Sequence, residues 1–214
     1  MLFDRDAFLD TIKNDAEKDD VELLSVSDEN IVIFDNMEGK EITFTMEEYI
    51  NPAFIEKKIS LSSAAKEIIS YSPGYIASIL FKNLSPEYFM TLNKLFIVAT
   101  EKDIEALEED LVGEYCGYYD NINDLCGIML FEYNCVVVNV GAISSVSNEV
   151  FAGYDSGYIQ SDIIRGFWST IFHEFRHLML DTNIYLPEDK YPVNLSAEEA
   201  VEEFGNQLME TMKY

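Results

Sequence analysis

The hydrophobic positions change rhythm several times along the 214 residues. From residue 4 to 18 they gather on one side of a helix, with Phe8, Leu9 and Ile12 together, so an acidic amphipathic helix is predicted. Short apolar runs follow at Val21–Val26, Ile31–Phe34 and Glu41–Thr45. Turn formers separate them at Ser27-Asp28-Glu29-Asn30 and Asp35-Asn36-Met37-Glu38-Gly39, which predicts a three-stranded antiparallel meander. Residues 46–113 read mostly as helices, and Ser85-Pro86 supplies a cap residue with proline at the first helical position. Leu95-Phe96-Ile97-Val98 fits either a strand or a buried helix.

Gly127–Phe131 and Cys135–Val140 are rich in β-branched and large apolar side chains and read as strands. A loop with Gly141, Gly153 and Gly157 is expected next, and then a helix capped by Ser161 or Asp162 that runs to about residue 180. Residues 181–195, with Pro187 and Pro192, form a connection, and a last helix starts at Ser196. A soft boundary near residue 120 divides an accessory α+β region, 1–120, from a region 121–214 that carries the candidate chemistry. The fold class expected is α+β.

Composition narrows the function. Apolar residues make up 48% and aromatics 13%, which excludes a disordered or fibrous chain. Forty acidic residues against 14 basic ones give a formal charge of −26. Such a field repels phosphates, so nucleic-acid binding is not expected, whereas a basic partner or simple solubility would suit it. The start, Met1-Leu2-Phe3-Asp4-Arg5-Asp6, has no leader-like apolar run, and the longest apolar runs, such as Leu95–Ala99 and Cys135–Val138, are far shorter than a bilayer needs. A soluble cytoplasmic protein without membrane contact is expected. Cys116, Cys126 and Cys135 form no CxxC pair and read as three buried free thiols.

The chain has only two histidines, and both lie in His173-Glu174-Phe175-Arg176-His177, an HExxH pattern. On an α-helix, residues four apart stand one turn apart on one face, so both imidazoles can hold one zinc ion. Glu174 lies about 100° around the helix from His173 and about 60° from His177. That direction suits a general base toward water at the metal better than a third ligand. With His173 at zero, Gly166, Ser169, Thr170 and His177 fall within about 60°, while Ile164, Trp168, Ile171, Phe175, Leu178 and Met179 fall opposite. Small or polar residues thus surround the histidines and bulky ones back them, as a helix lining a cleft requires. Histidines merely half-exposed and paired with acids are the plainer alternative.

A catalytic zinc site usually has three protein ligands and an open position. With no third histidine, the third donor should be a carboxylate or, failing that, a cysteine. Ser196 and Glu199 match a capping box, which gives Glu199 a task at the helix start. Glu198 and Glu202 share a face, so one can bind metal while the other supports a histidine. Asp181, four residues beyond His177, is a further partner for its ring or a helix terminator.

HExxH followed by a glutamate on the next helix resembles the gluzincin zinc metallopeptidases, most closely the ImmA/IrrE-type group, whose second helix reads roughly E-x-x-A-[ND]-x-F-A-x-x-L-[LM]. Glu198-Glu199-Ala200-Val201-Glu202-Glu203-Phe204-Gly205-Asn206-Gln207-Leu208-Met209 fits it with Glu198 first. Val201, Glu202 and Gly205 depart from it, replacing Ala, Asn or Asp, and Ala. The resemblance covers about residues 135–209. It implies a zincin-like fold, with an antiparallel or mixed sheet packed on the HExxH helix and the following ligand helix. It implies Zn2+ held by His173, His177 and Glu198, with Glu202 and Glu199 in reserve, and Glu202 also fits the acid that supports the first histidine.

The activity so implied is hydrolysis of a peptide bond in a protein or peptide substrate, with Glu174 as the general base. The segment Cys135–Val140 is the expected edge for an extended substrate, and Tyr154, Tyr158, Tyr185, Tyr191 and Arg176 are candidate oxyanion donors. Two rivals remain: a zincin-like binding protein without catalysis, and an acidic mimic of DNA that inhibits basic proteins.

Overall fold

The computed structural model describes residues 21–26, 30–36, 39–45, 50–84, 87–110, 125–130, 133–181, 209–210 and 212. Among them the chain is α+β, with seven strands and seven helices. The helix expected over 4–18, the connection after Asp181 and the start of the last helix at Ser196 lie outside the described residues, although Met209 and Glu210 are helical. No helix among the described residues is long and apolar enough to cross a membrane.

The first sheet is the expected meander. Strands β1 (Val21–Val26), β2 (Asn30–Asp35) and β3 (Lys40–Thr45) pair antiparallel in sequence order. The β2–β3 register runs from Asn30 opposite Thr45 to Asp35 opposite Lys40, and Gly39 supplies a φ of +65° at the turn. Ile31 is fully buried and belongs to the main core.

Local signals set the helices that follow. The side chain of Asn51 accepts from Ala53 N and Phe54 N ahead of α1 (Pro52–Lys57), and Ser72 accepts from Tyr75 N ahead of α3 (Pro73–Asn83). Each thus joins a polar cap to a proline at the helix start. Ser62 caps α2 (Ser63–Ile69), which follows the short strand β4 (Ile59–Leu61). Ser85-Pro86 lies outside the described residues, and α4 occupies Glu87–Thr91. Leu95–Val98 falls in a strand, β5 (Lys94–Val98), whose Leu95, Ile97 and Val98 are buried. Helix α5 (Glu101–Asp110) follows, with Asp103 accepting from Ala99 N, Thr100 N and the Ser62 hydroxyl.

The second sheet has the order β4-β5-β7-β6, with β6 at Gly127–Leu130 and β7 at Cys135–Asn139. β4, β5 and β7 are parallel, and β6 is antiparallel to β7. Two of its strands precede residue 120 and two follow it, because β5 pairs with β7. The boundary expected there, between accessory and chemistry-bearing regions, falls inside the span of one sheet and one core. Alternation sorts its side chains: Leu95, Ile97, Met129, Val136 and Val138 enter the main core. Leu130, Cys135 and Val137 pack with Ile104 and Leu107 of α5 on the other face.

The segment after β7 departs from expectation. The strand stops at Asn139, whose side chain accepts from Ala142 N and starts helix α6 (Val140–Val150) where a loop was expected. Its serines, valines and glycine are weak helix formers, so packing decides the local structure. A Cβ on Gly141 would stand 2.0 Å from the Ala99 carbonyl oxygen, so only glycine lets the first turn of α6 pass the end of β5. Helix α7 spans Ser156–Asp181 and starts earlier than Ser161 or Asp162, because Asp155 Oδ1 accepts from Gly157 N. The Ser147 hydroxyl donates to Asp162 and ties α6 to α7.

Lys58, at the end of α1, secures α4. Its ammonium donates to the Phe89 and Leu92 carbonyls at 2.9 and 2.5 Å and lies 4.7 Å from the centroid of the Phe54 ring. Phe89 in turn packs against Phe175 of α7, at 6.0 Å between ring centroids. Burial pushes the Lys58 amine down from 10.5 to about 8. The folded chain therefore holds fewer protons than the unfolded one between those values, and the cost of the buried charge, complete below about pH 8, is relieved as pH rises to 10.5. Urea denaturation across that window is expected to show the wild type gaining stability relative to Lys58→Met, and parallel curves would refute it.

Candidate metal and acid-base site on helix α7

From Ile163 onward, helix α7 is buried on most of its circumference. Ile163, Phe167, Trp168, Ile171, Phe172, Phe175 and Leu178 are core residues. Gly166, Ser169, Thr170, His173 and His177 are half-buried. The helical wheel thus sorts the two sides as the sequence predicted, with the histidines on the side of small and polar residues. Trp168 and Phe172 stack at 6.1 Å behind them, which fixes the rotation of the helix.

The imidazoles converge. His173 Nε2 and His177 Nε2 are 3.1 Å apart, and the rings meet edge to face with 4.8 Å between centroids. Two nitrogens each about 2.0–2.1 Å from a tetrahedral zinc ion stand roughly 3.3 Å apart. The pair therefore fits one ion with little movement, and the same distance also suits a hydrogen bond between a neutral ring donor and acceptor.

Glu174 is only 6% exposed. It lies against β6: a Cβ built on Gly127 would stand 2.9 Å from Glu174 Oε1, 3.0 Å from its Cγ and 2.4 Å from the Thr170 methyl. The strand can approach the helix there only because residue 127 has no side chain. Sequence reasoning read Gly127 merely as the start of a strand. A glycine at the mouth of an apolar strand was the available signal, since it often marks a close backbone approach.

The expected substrate edge needs correction. β7 is paired on both sides, by β5 and β6, and all five of its residues are buried. A strand so enclosed offers no free backbone to a peptide. Among the described residues, β6 is the outermost strand on this side of the sheet, and it is also the one that touches Glu174.

Other candidates divide as follows. Glu198, Glu199 and Glu202 lie outside the described residues, as do Tyr185 and Tyr191. Among the described residues no group of three His, Cys, Asp or Glu side chains converges, so the pair of imidazoles is what the described part contributes. Asp181 is the last residue of α7. Tyr158 is exposed and stands about 22 Å along the helix axis from His173, and Tyr154 precedes it, so neither serves as an oxyanion donor. Arg176 is 2% exposed and belongs to the buried side of the helix.

The cysteines were expected to be three buried free thiols. Cys135 is buried, Cys126 is only half-buried, and Cys116 lies outside the described residues. Burial pushes the Cys135 thiol up to about 11 and also raises Cys126. Neither joins a group of three metal-binding side chains among the described residues. No family model, curated protein or solved structure matches the chain.

Gly127→Ala forces β6 away from α7 or displaces Glu174 and Thr170. A loss of about 1–3 kcal/mol in thermal or denaturant stability is expected, as for other overpacked sites. Unchanged stability would mean that the strand and helix are not in this contact.

Proposed function

We propose that the protein is a zinc-dependent metallopeptidase of zincin type, acting on a protein or peptide substrate. The observation that carries this reading is the convergence of His173 Nε2 and His177 Nε2 at 3.1 Å, with Glu174 one residue on and held against an outer strand. The mixed sheet with an antiparallel outer strand beside the histidine helix supports the fold assignment.

A bound zinc ion would polarise a carbonyl and make water acidic enough to attack near neutral pH. His173 and His177 would hold the ion, and Glu198 would be the third protein donor. Glu174 takes the proton of the attacking water and returns it to the leaving amine. The substrate lies extended along β6, adding its backbone to that strand, and the acidic surface favours a basic substrate.

Sequence periodicity supports Glu198 over Glu199. Met209 is helical, and Met209 and Met212 pack against the core that contains α7. On the helix that the sequence predicts from Ser196, Glu198 and Glu202 stand within about 20° of Met209, and Glu199 about 80° away. The core-facing side would then carry Glu198 and Glu202, leaving Glu199 to cap. A second reading, a zincin-like binding protein without catalysis, is favoured by the burial of Glu174, only 6% exposed, which suits a structural carboxylate.

Two measurements separate these readings. Elemental analysis of protein purified without added metal is expected to give one zinc per chain, lost in His177→Ala. A proteome-derived peptide mixture, read by mass spectrometry, is expected to be cleaved by the wild type and not by Glu174→Gln, which keeps its zinc. Zinc without cleavage by the wild type would favour the binding protein. Cleavage by Glu174→Gln would remove that residue from the chemistry, and absence of zinc would remove the site.

A further inference from the structure

The corner between α6 and α7 exposes apolar surface that the site does not use. Val146 is 52% exposed, Val150 64%, Tyr154 62% and Tyr158 51%. These are four of the seven large hydrophobic residues exposed among those described, and all lie within one helix–turn–helix corner. Val146 and Val150 stand one turn apart on α6, and Tyr154 and Tyr158 are likewise four residues apart.

Phe151 organises the rings. Its edge meets Tyr154 at 5.6 Å and Tyr158 at 5.1 Å, and the two tyrosines lie 5.3 Å apart. Such mutual contact holds three aromatic side chains in place before anything binds, so little rotamer freedom remains to be lost. Tyrosines so arranged are typical anchors of interfaces, apolar in the ring and polar at the tip.

The surroundings choose the partner. From residue 140 to 165 the sequence carries Glu149, Asp155 and Asp162 and a single cation, Arg165, about two helical turns beyond Tyr158. Glu149 and Asp155 border the rings in sequence, and the whole chain has a formal charge of −26. A second copy would bring the same charge to the same face. The patch is also on the order of a few hundred Å², against roughly 800 Å² per partner in a stable complex. A short cationic segment has neither difficulty: arginine or lysine can stack on the tyrosine faces, pair with the carboxylates and lay its apolar neighbours on Val146 and Val150.

We infer that the α6–α7 corner, through Val146, Val150, Phe151, Tyr154 and Tyr158, is a docking surface for a basic, partly apolar polypeptide segment. It stands about 22 Å along α7 from His173 and works without metal. It therefore goes beyond the proposed peptidase reading and stands apart from it.

The test uses a labelled decapeptide of alternating leucine and arginine, with fluorescence anisotropy at about 150 mM salt and with chelator present. The wild type is expected to bind it, and Tyr154→Ser/Tyr158→Ser to bind at least about tenfold more weakly. Tyr75→Ser, at an exposed ring elsewhere, is expected to bind as the wild type does. Circular dichroism checks that each variant is folded. Equal binding by the double tyrosine variant would overturn the proposal by leaving net charge alone as the cause. So would a wild-type dimer in sedimentation that the same variant dissociates, since the corner would then belong to a second copy. Because chelator is present throughout, failure of the zinc reading leaves these outcomes unchanged.

Discussion

The approach of β6 to α7 at Gly127 is the contact on which the site rests. Helix and strand meet so closely that a single methyl on the strand would overlap Thr170 and press on Glu174. That closeness sets the Glu174 carboxylate against β6, one residue along the helix from His173. It also restrains Glu174 more tightly than rotamer preference alone would, since the side chain is enclosed by its own helix and by strand backbone. The rest of the main core maintains this spacing. Phe167, Trp168, Phe172 and Phe175 fix the rotation of α7, and β7 fixes the position of β6 through its register.

Much of this was legible in the chain because helical periodicity is local information. The buried and half-buried sides of α7 follow from the spacing of Trp168, Ile171, Phe175 and Leu178 against Gly166, Thr170, His173 and His177. The meander was equally legible, since turn formers bracket each strand. Helix α6 was not, because serine, valine and glycine favour a loop or strand, whereas the Asn139 cap, the burial of Val140 and Ile143 in the main core and the Ser147–Asp162 bond stabilise it.

Strand order was illegible for a different reason. Nothing in Cys135-Val136-Val137-Val138 says which neighbours it takes. A continuous apolar run implies burial on both faces, and here it marks an interior strand between β5 and β6. Its hydrophobicity and its position agree, and both keep it from serving as a substrate edge. The role of Gly127 is not legible in the sequence because it lies in an approach between residues far apart in the chain, and glycines are also common at strand ends for plainer reasons.

The two surfaces singled out on α7 use opposite physics on one element. At its histidine end, polar side chains are half-withdrawn from water and their nitrogens face one another, which suits a compact ion of high charge. At its start, aromatic side chains are exposed to water with Glu149 and Asp155 beside them in sequence, which suits a long, diffuse cation such as a basic peptide. The negative charge of the chain favours both, since it concentrates cations of any size without selecting between them. Selection must come from geometry, and the geometry differs: a 3.1 Å gap between nitrogens at one end, and a fan of rings spaced at more than 5 Å at the other. One rigid helix, anchored along its buried side, can carry both because neither surface draws on the residues that hold it in the core.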